Sequence, residues 1–150
     1  AANYLQCKMP LESWMVKAVF ALKRGQLDEF RKMLTSFLAG IPYTMRRKEN
    51  EPERERYFQY TFYLLLRLMS VYTVLVEKEQ SQGRVDCIVE TPQYVYIFEF
   101  KLDGTAAEAL QQIEEKGYAR PYEADGRQVV KVGVNFSSKT GTIEEWEVRK

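Results

Sequence analysis

Apolar residues between Pro10 and Arg24 recur at spacings of three and four. Leu11, Trp14, Met15, Ala18, Val19 and Leu22 form one helical stripe, and Gly25 ends it. A second helix is predicted from Leu27 to Leu38, with Leu27, Phe30, Met33, Leu34, Phe37 and Leu38 on one face and Gly40 and Pro42 as stops. Thr44 to Glu53 is polar and reads as a loop. A third helix is predicted from about Pro52 to Met69, apolar on most sides from Thr61 onward.

From Val71 the period changes. Val71 to Val76 reads as the start of a strand in the stretch 71–79. Val85 to Glu90 reads as a second strand, and Tyr94 to Leu102 as a third, the most β-prone run in the chain. Thr91-Pro92-Gln93 is expected to join the last two. Thr105-Ala106-Ala107-Glu108 is a capping box opening a helix to about Lys116, and Gly117 ends it. Two closing strands follow, Gln128 to Phe136 and Thr142 to Arg149. The three strands from 71 to 102 are expected to form an antiparallel meander, with the helix from Thr105 packed on it and strand 128–136 beside it in parallel.

Composition narrows the function classes. The chain has 150 residues, 45% of them apolar, enough for one buried core. Its formal net charge is +1, so any nucleic-acid contact must be a local basic patch rather than the whole surface. With no histidine, Ser-His-Asp and Cys-His mechanisms and histidine-ligated zinc are excluded. Cys7 and Cys87 stand alone and far apart, which argues against a disulfide scaffold and suits a cytoplasmic protein. No stretch is apolar for the ~20 residues that a membrane span needs. The opening Ala-Ala-Asn, in place of Met, suits a piece cut from a longer protein.

The chemistry that remains open is carboxylate, lysine and hard-metal chemistry, and one strand carries the pieces. Alternation puts Val95, Ile97, Glu99 and Lys101 on one face of the third strand, and Tyr94, Tyr96, Phe98 and Phe100 on the other. Ending an apolar face on two charges costs desolvation unless they pair or bind something. If Thr91-Pro92-Gln93 is the whole turn, residue numbers summing to about 184 pair across the hairpin. Asp86 then falls opposite Phe98, within a residue of Glu99. Two carboxylates and a lysine suit a Mg²⁺ site for phosphodiester hydrolysis. A surface ion pair at the strand end, with Asp86 facing solvent, is the plainer alternative.

These segments resemble a known family. Gly83-Arg84-Val85-Asp86, Ile97-Phe98-Glu99-Phe100-Lys101 and Ala109-Leu110-Gln111-Gln112-Ile113-Glu114-Glu115-Lys116-Gly117-Tyr118 look like successive motifs of the PD-(D/E)XK nuclease superfamily. The nearest branch resembles a domain at the C-terminus of bacterial, especially Bacteroidetes, proteins that begin with an AAA-ATPase-like domain. The resemblance implies an α/β fold with a restriction-endonuclease-like αβββαβ core, a mixed central sheet flanked by helices, and extra N-terminal helices. Residues 1–45 would then be an N-terminal helical segment and 46–150 the nuclease-like domain.

It further implies Mg²⁺ or Mn²⁺ held by Asp86, Glu99 and the carbonyl of Phe100, with Lys101 as the catalytic lysine and Gln112 facing the site. Glu55 would be the upstream helical acid, because Glu55-Arg56-Tyr57-Phe58-Gln59 is similar to the family's Glu-x-aromatic-aromatic-His, with Gln59 where His is common. Val85 likewise replaces the proline of the superfamily name. The expected partners are nucleic acid, DNA first, and the attached ATPase-like domain, with no membrane and room for a homodimer. A nuclease scaffold that binds without cutting, and regulates its ATPase domain, is the competing expectation.

Several single residues have bland readings beside the functional ones. Tyr118 could stack on a base or pack the helix end. Arg84 could neutralise phosphate or pair with an acid. Arg46-Arg47-Lys48 is followed at once by Glu49, Glu51, Glu53 and Glu55, so a solvated mixed-charge loop fits it better than a phosphate grip. Cys87 is expected to be buried in its strand, because the adjacent Asp86 would oppose a thiolate.

Overall fold

In the computed structural model, residues 11–39, 76–79 and 86–150 are described, with side chains placed for 16–39 and 88–150. The predicted helix from Pro52 to Met69, the stretch 71–75, the Arg46-Arg47-Lys48 loop, and Arg84, Glu55 and Gln59 lie outside the described residues.

The N-terminal stripe forms α1, Leu11–Lys23, and the second forms α2, Leu27–Ala39. Gly25 separates them in a left-handed conformation, φ 73°. There the N–H of Gln26 reaches back to the Ala21 carbonyl at 2.8 Å. A side chain is excluded twice over, since a β-carbon on Gly25 would lie 2.5 Å from the Tyr94 hydroxyl oxygen.

The strands are β1 (Val76–Glu79), β2 (Asp86–Glu90), β3 (Tyr94–Leu102), β4 (Gln128–Ser137) and β5 (Thr142–Arg149). They make one five-stranded sheet in chain order. β1–β2, β2–β3 and β4–β5 are antiparallel, while β3 and β4 run parallel. That parallel pair needs a crossover, supplied by α3, Ala106–Lys116. Thr105 caps α3 as its hydroxyl oxygen accepts from the Glu108 N–H at 3.0 Å, and Gly117 closes it at φ 65°. A single 3₁₀ turn at Arg120–Tyr122 leads towards β4. This is the expected α/β architecture, a mixed sheet flanked by helices.

The two faces of β3 belong to different cores. Tyr96, Phe98 and Phe100 pack with Val130, Val132, Val134 and Phe136 against Leu22 of α1 and Phe30, Leu34 and Leu38 of α2. Full burial of each such side chain contributes ~1.5–3 kcal/mol. The aromatic stripe is therefore packing surface, as its alternation suggests. Tyr96 also donates its hydroxyl to the Leu22 carbonyl. Burial, with the neighbouring Tyr94 adding to it, pushes that phenol well above its ordinary pKa. The opposite face packs Val95 and Ile97 against Leu110, Ile113 and Ala119, with Tyr118 along the edge. Both N-terminal helices thus share a core with the sheet. Among the described residues no helix is long and apolar enough to cross a membrane.

Candidate active site on the α3 face of the sheet

The β2–β3 turn sets the geometry of the site, and it is tighter than the sequence suggests. Thr91 joins the ladder: its N–H donates to the Tyr94 carbonyl at 2.8 Å, and its hydroxyl oxygen accepts from the Tyr94 N–H at 2.9 Å. Only Pro92 and Gln93 remain as the loop. Paired numbers therefore sum to 185, and Asp86 stands opposite Glu99, with Cys87 opposite Phe98. The expected pairing of Asp86 with Phe98 was one residue out. The correction matters, because a one-residue slip moves a strand's side chains to the other face, whereas directly opposed residues share one.

Arg127 holds this turn against the crossover. Its guanidinium donates to the Glu90 carboxylate at 2.8 Å and the Thr91 carbonyl at 3.3 Å, and it also pairs with Asp125. The hydrogen bonds that it donates to Asp125 and then Glu90 hold the Arg127 pKa above its already high ordinary value, and the contact with Asp125 lowers that of the carboxylate.

Glu99 is the anomaly of the sheet. It is 0% exposed, and among the described residues neither carboxylate oxygen has a hydrogen-bond partner. An unpaired buried carboxylate costs several kcal/mol unless a cation or donor completes it. On α3, the side-chain oxygen Oε1 of Gln112 is likewise buried and accepts no hydrogen bond among the described residues. Hard oxygen acceptors of this kind suit Mg²⁺ or Mn²⁺ and not a soft metal. Among the described residues no three His, Cys, Asp or Glu side chains form a metal-binding group. Of the carboxylates assigned to the site, Glu99 is the one whose side chain is described; those of Asp86 and Glu55 lie outside.

Two neighbours of Glu99 on β4 were not singled out in the sequence. Glu99 pairs with Gly133, and Lys101 with Asn135. Gly133 lets α3 come down onto the sheet: a β-carbon there would lie 2.4 Å from the Ala106 carbonyl oxygen and 3.0 Å from Leu110 Cγ. Asn135 is 2% exposed and accepts from the Gly104 N–H at 2.8 Å. A glycine and an asparagine inside the β-prone run Gln128–Ser137 are the signals that could have found them.

The β3–α3 connection beside Lys101 is fully tied down. Asp103, at φ 54°, donates its N–H to the Phe136 carbonyl at 2.8 Å. Its carboxylate accepts from the Ser138 N–H at 2.9 Å. Glu145, on β5, accepts from the Ala106 N–H at 2.9 Å, which places an acid at the positive end of α3. Further along the same face, Glu114 of α3 pairs with Lys131 at 2.5 Å and Arg149 at 3.7 Å. The Lys131 contact, most of all, holds the Glu114 carboxyl below its ordinary pKa.

The structure thus places Glu99, Lys101 and Gln112 on two elements that pack together, with residue 86 opposite Glu99 in the ladder. Phe100 turns its ring into the aromatic core beside Phe98 and Phe136. Tyr118 packs along the α3 core, with the Lys116 ammonium 5.5 Å from its ring centre.

Comparison with known proteins agrees with this fold. The profile of the PD-(D/E)XK nuclease superfamily matches residues 53–146. An uncharacterised protein in the vnfD 5′ region of Azotobacter chroococcum mcd 1 is 34% identical over 113 residues, covering 74% of this chain. The match spans 22% of that relative's length. No solved structure matches significantly.

Proposed function

This chain belongs to the PD-(D/E)XK nuclease superfamily, and we propose that its α3-covered sheet face hydrolyses phosphodiester bonds of nucleic acid, DNA first. The cation would be Mg²⁺ or Mn²⁺, held by Glu99, Asp86 and the carbonyl of Phe100. The observation that carries this reading is Glu99, a buried carboxylate whose two oxygens have no hydrogen-bond partner among the described residues, set opposite Asp86 in the ladder. Such an ion, when bound, supplies charge neutralisation at the phosphate and a more acidic water.

The chain's own residues do the rest. Lys101 shares the strand face of Glu99 and, as a cation, orients the attacking water or neutralises charge on the phosphate oxygens. The water oxygen bonds to phosphorus as the bond to the leaving sugar oxygen breaks; the proton given up by the water passes to solvent, and the leaving oxygen takes one from solvent to become a hydroxyl. Gln112 lines the face from α3, and Glu55 is proposed as the upstream acid.

A formal charge of only +1 favours a second reading, a nuclease fold that binds without cutting. The relative's greater length supports an attached domain, and we assign that partner the AAA-ATPase-like type expected from the sequence. Cleavage assays with Mn²⁺ on single- and double-stranded DNA and RNA separate the readings. Under the nuclease reading the wild type cleaves, and Lys101→Ala loses at least ~100-fold in kcat with Mn²⁺ affinity unchanged. A wild-type protein that binds Mn²⁺ but cuts none of these substrates overturns it.

A further inference from the structure

We propose that the outer edge of β5 accepts an extended segment of a partner protein as a sixth strand, cationic on its α3 side and apolar on its α2 side. This docking does not rest on the nuclease reading. β5 closes the five-stranded sheet and pairs with β4 alone. Among the described residues, no main-chain hydrogen bond reaches it from its other side. Alternate residues therefore direct their N–H and C=O groups away from the sheet, the template that strand addition uses. Glu144, Glu145, Glu147, Val148 and Arg149 are exposed along this edge.

The two sides of β5 differ in chemistry. Trp146 packs on Phe30 and Phe98, which puts the even-numbered side chains towards α1 and α2. On that side Val148, 39% exposed, lines a cleft of about 410 Å³ with Leu27, Asp28, Glu29 and Lys150. An apolar side chain of the added strand, lying beside Val148, fills this cleft. Glu145 accepts from the Ala106 N–H of α3, which puts the odd-numbered side chains, Glu147 among them, on the α3 side. Cations of the added strand stand opposite these two acids, the cross-strand pairing that charge favours. A second copy of β5 fits poorly. Antiparallel pairing about a two-fold axis keeps like faces together, and its two registers of fullest overlap set Glu145 opposite itself or opposite Glu147.

The test adds synthetic octapeptides to the full chain without metal and reads amide exchange along β5 by NMR. One peptide alternates lysine with valine, one alternates glutamate with valine, and one has all its lysines before all its valines. With the alternating lysine peptide at about ten times its Kd, every second amide of β5 should exchange ~10-fold more slowly. That period of two marks strand addition, which a loose electrostatic contact does not produce. The other two peptides should leave exchange unaltered. Glu147→Lys should weaken the lysine peptide ~10-fold and let the glutamate peptide bind. Should that variant fail to fold, the wild type still decides, because the three peptides must differ on it. Unchanged β5 exchange with the lysine peptide overturns the proposal, and so does equal binding of all three. Protection of β5 that grows with protein concentration alone overturns it in favour of a second copy.

Discussion

Gly133 and Ala106 meet so closely that no β-carbon fits between them: one placed on Gly133 would lie 2.4 Å from the Ala106 carbonyl oxygen. The obstacle is helix backbone, which cannot rotate away as a side-chain tip can. Gly133→Ala must therefore lift α3 or bend β4, an overpacking cost of ~1–3 kcal/mol. Thermal melting should show a drop of ~4–10 °C. Because α3 also carries Gln112 past the strand of Glu99, cleavage should fall more steeply than stability. A variant as stable as the wild type would show that α3 has slack at this contact.

Glu99→Gln should separate the cost of the buried charge from its use. The carboxylate accepts no hydrogen bond among the described residues, so a neutral amide of the same shape should raise the melting temperature of the metal-free protein. The same change should abolish stabilisation by Mn²⁺, which for the wild type at a hundred times Kd amounts to ~2.7 kcal/mol. Calorimetric scans with and without Mn²⁺ check both signs at once. A variant less stable without metal and still stabilised by Mn²⁺ would place the cation elsewhere.

Glu114 gives an acid-side prediction. Lys131, and then Arg149, hold its folded pKa below the ordinary carboxylate value. A depressed folded pKa contributes stability above the unfolded value, and that contribution is lost as pH falls through the folded one. Glu114→Gln should thus be less stable than wild type at neutral pH and equal to it once both are measured below the carboxylate range. With the Glu114 side chain 45% exposed, solvent screening limits the difference to at most ~1 kcal/mol. Urea unfolding at pH 7 and at about pH 3 reads it.

Tyr96→Phe removes the hydroxyl that meets the Leu22 carbonyl while keeping the ring in the aromatic core. The carbonyl keeps the Gly25 N–H at 3.2 Å and loses one of two donors, so the cost should be ~0.5–1.5 kcal/mol in urea unfolding. Cleavage should be unchanged, since this ring lies on the face away from Glu99.

Alternation along Tyr94 to Lys101 was enough to sort that strand into an aromatic face and a charged one, because side-chain direction in a strand is a local property of the chain. The helices around Leu22, Phe30 and Ile113 were equally legible, since their stripes are set by a helical period and their ends by Gly25 and Gly117. Register was not. The hydrogen bonds by which Thr91 joins the ladder are invisible to turn propensity, and they moved Asp86 from Phe98 to Glu99. Nor does the sequence disclose that Glu99 is buried with no hydrogen-bond partner among the described residues, a fact of three-dimensional packing. Gly133 and Asn135 escaped for a related reason: each matters through an element distant in the chain, Ala106 for one and Gly104 for the other.

The segregation of the two faces of β3 has a practical side. Phe20, 46% exposed on α1, stands on the helical side of the sheet, away from Glu99 and Lys101. A thiol introduced there offers a tether for a bead or a fluorophore on the side of the sheet opposite the one that α3 covers. Immobilised protein could then be washed through one cation or oligonucleotide after another, each exchange made without the anchor competing for the surface under study.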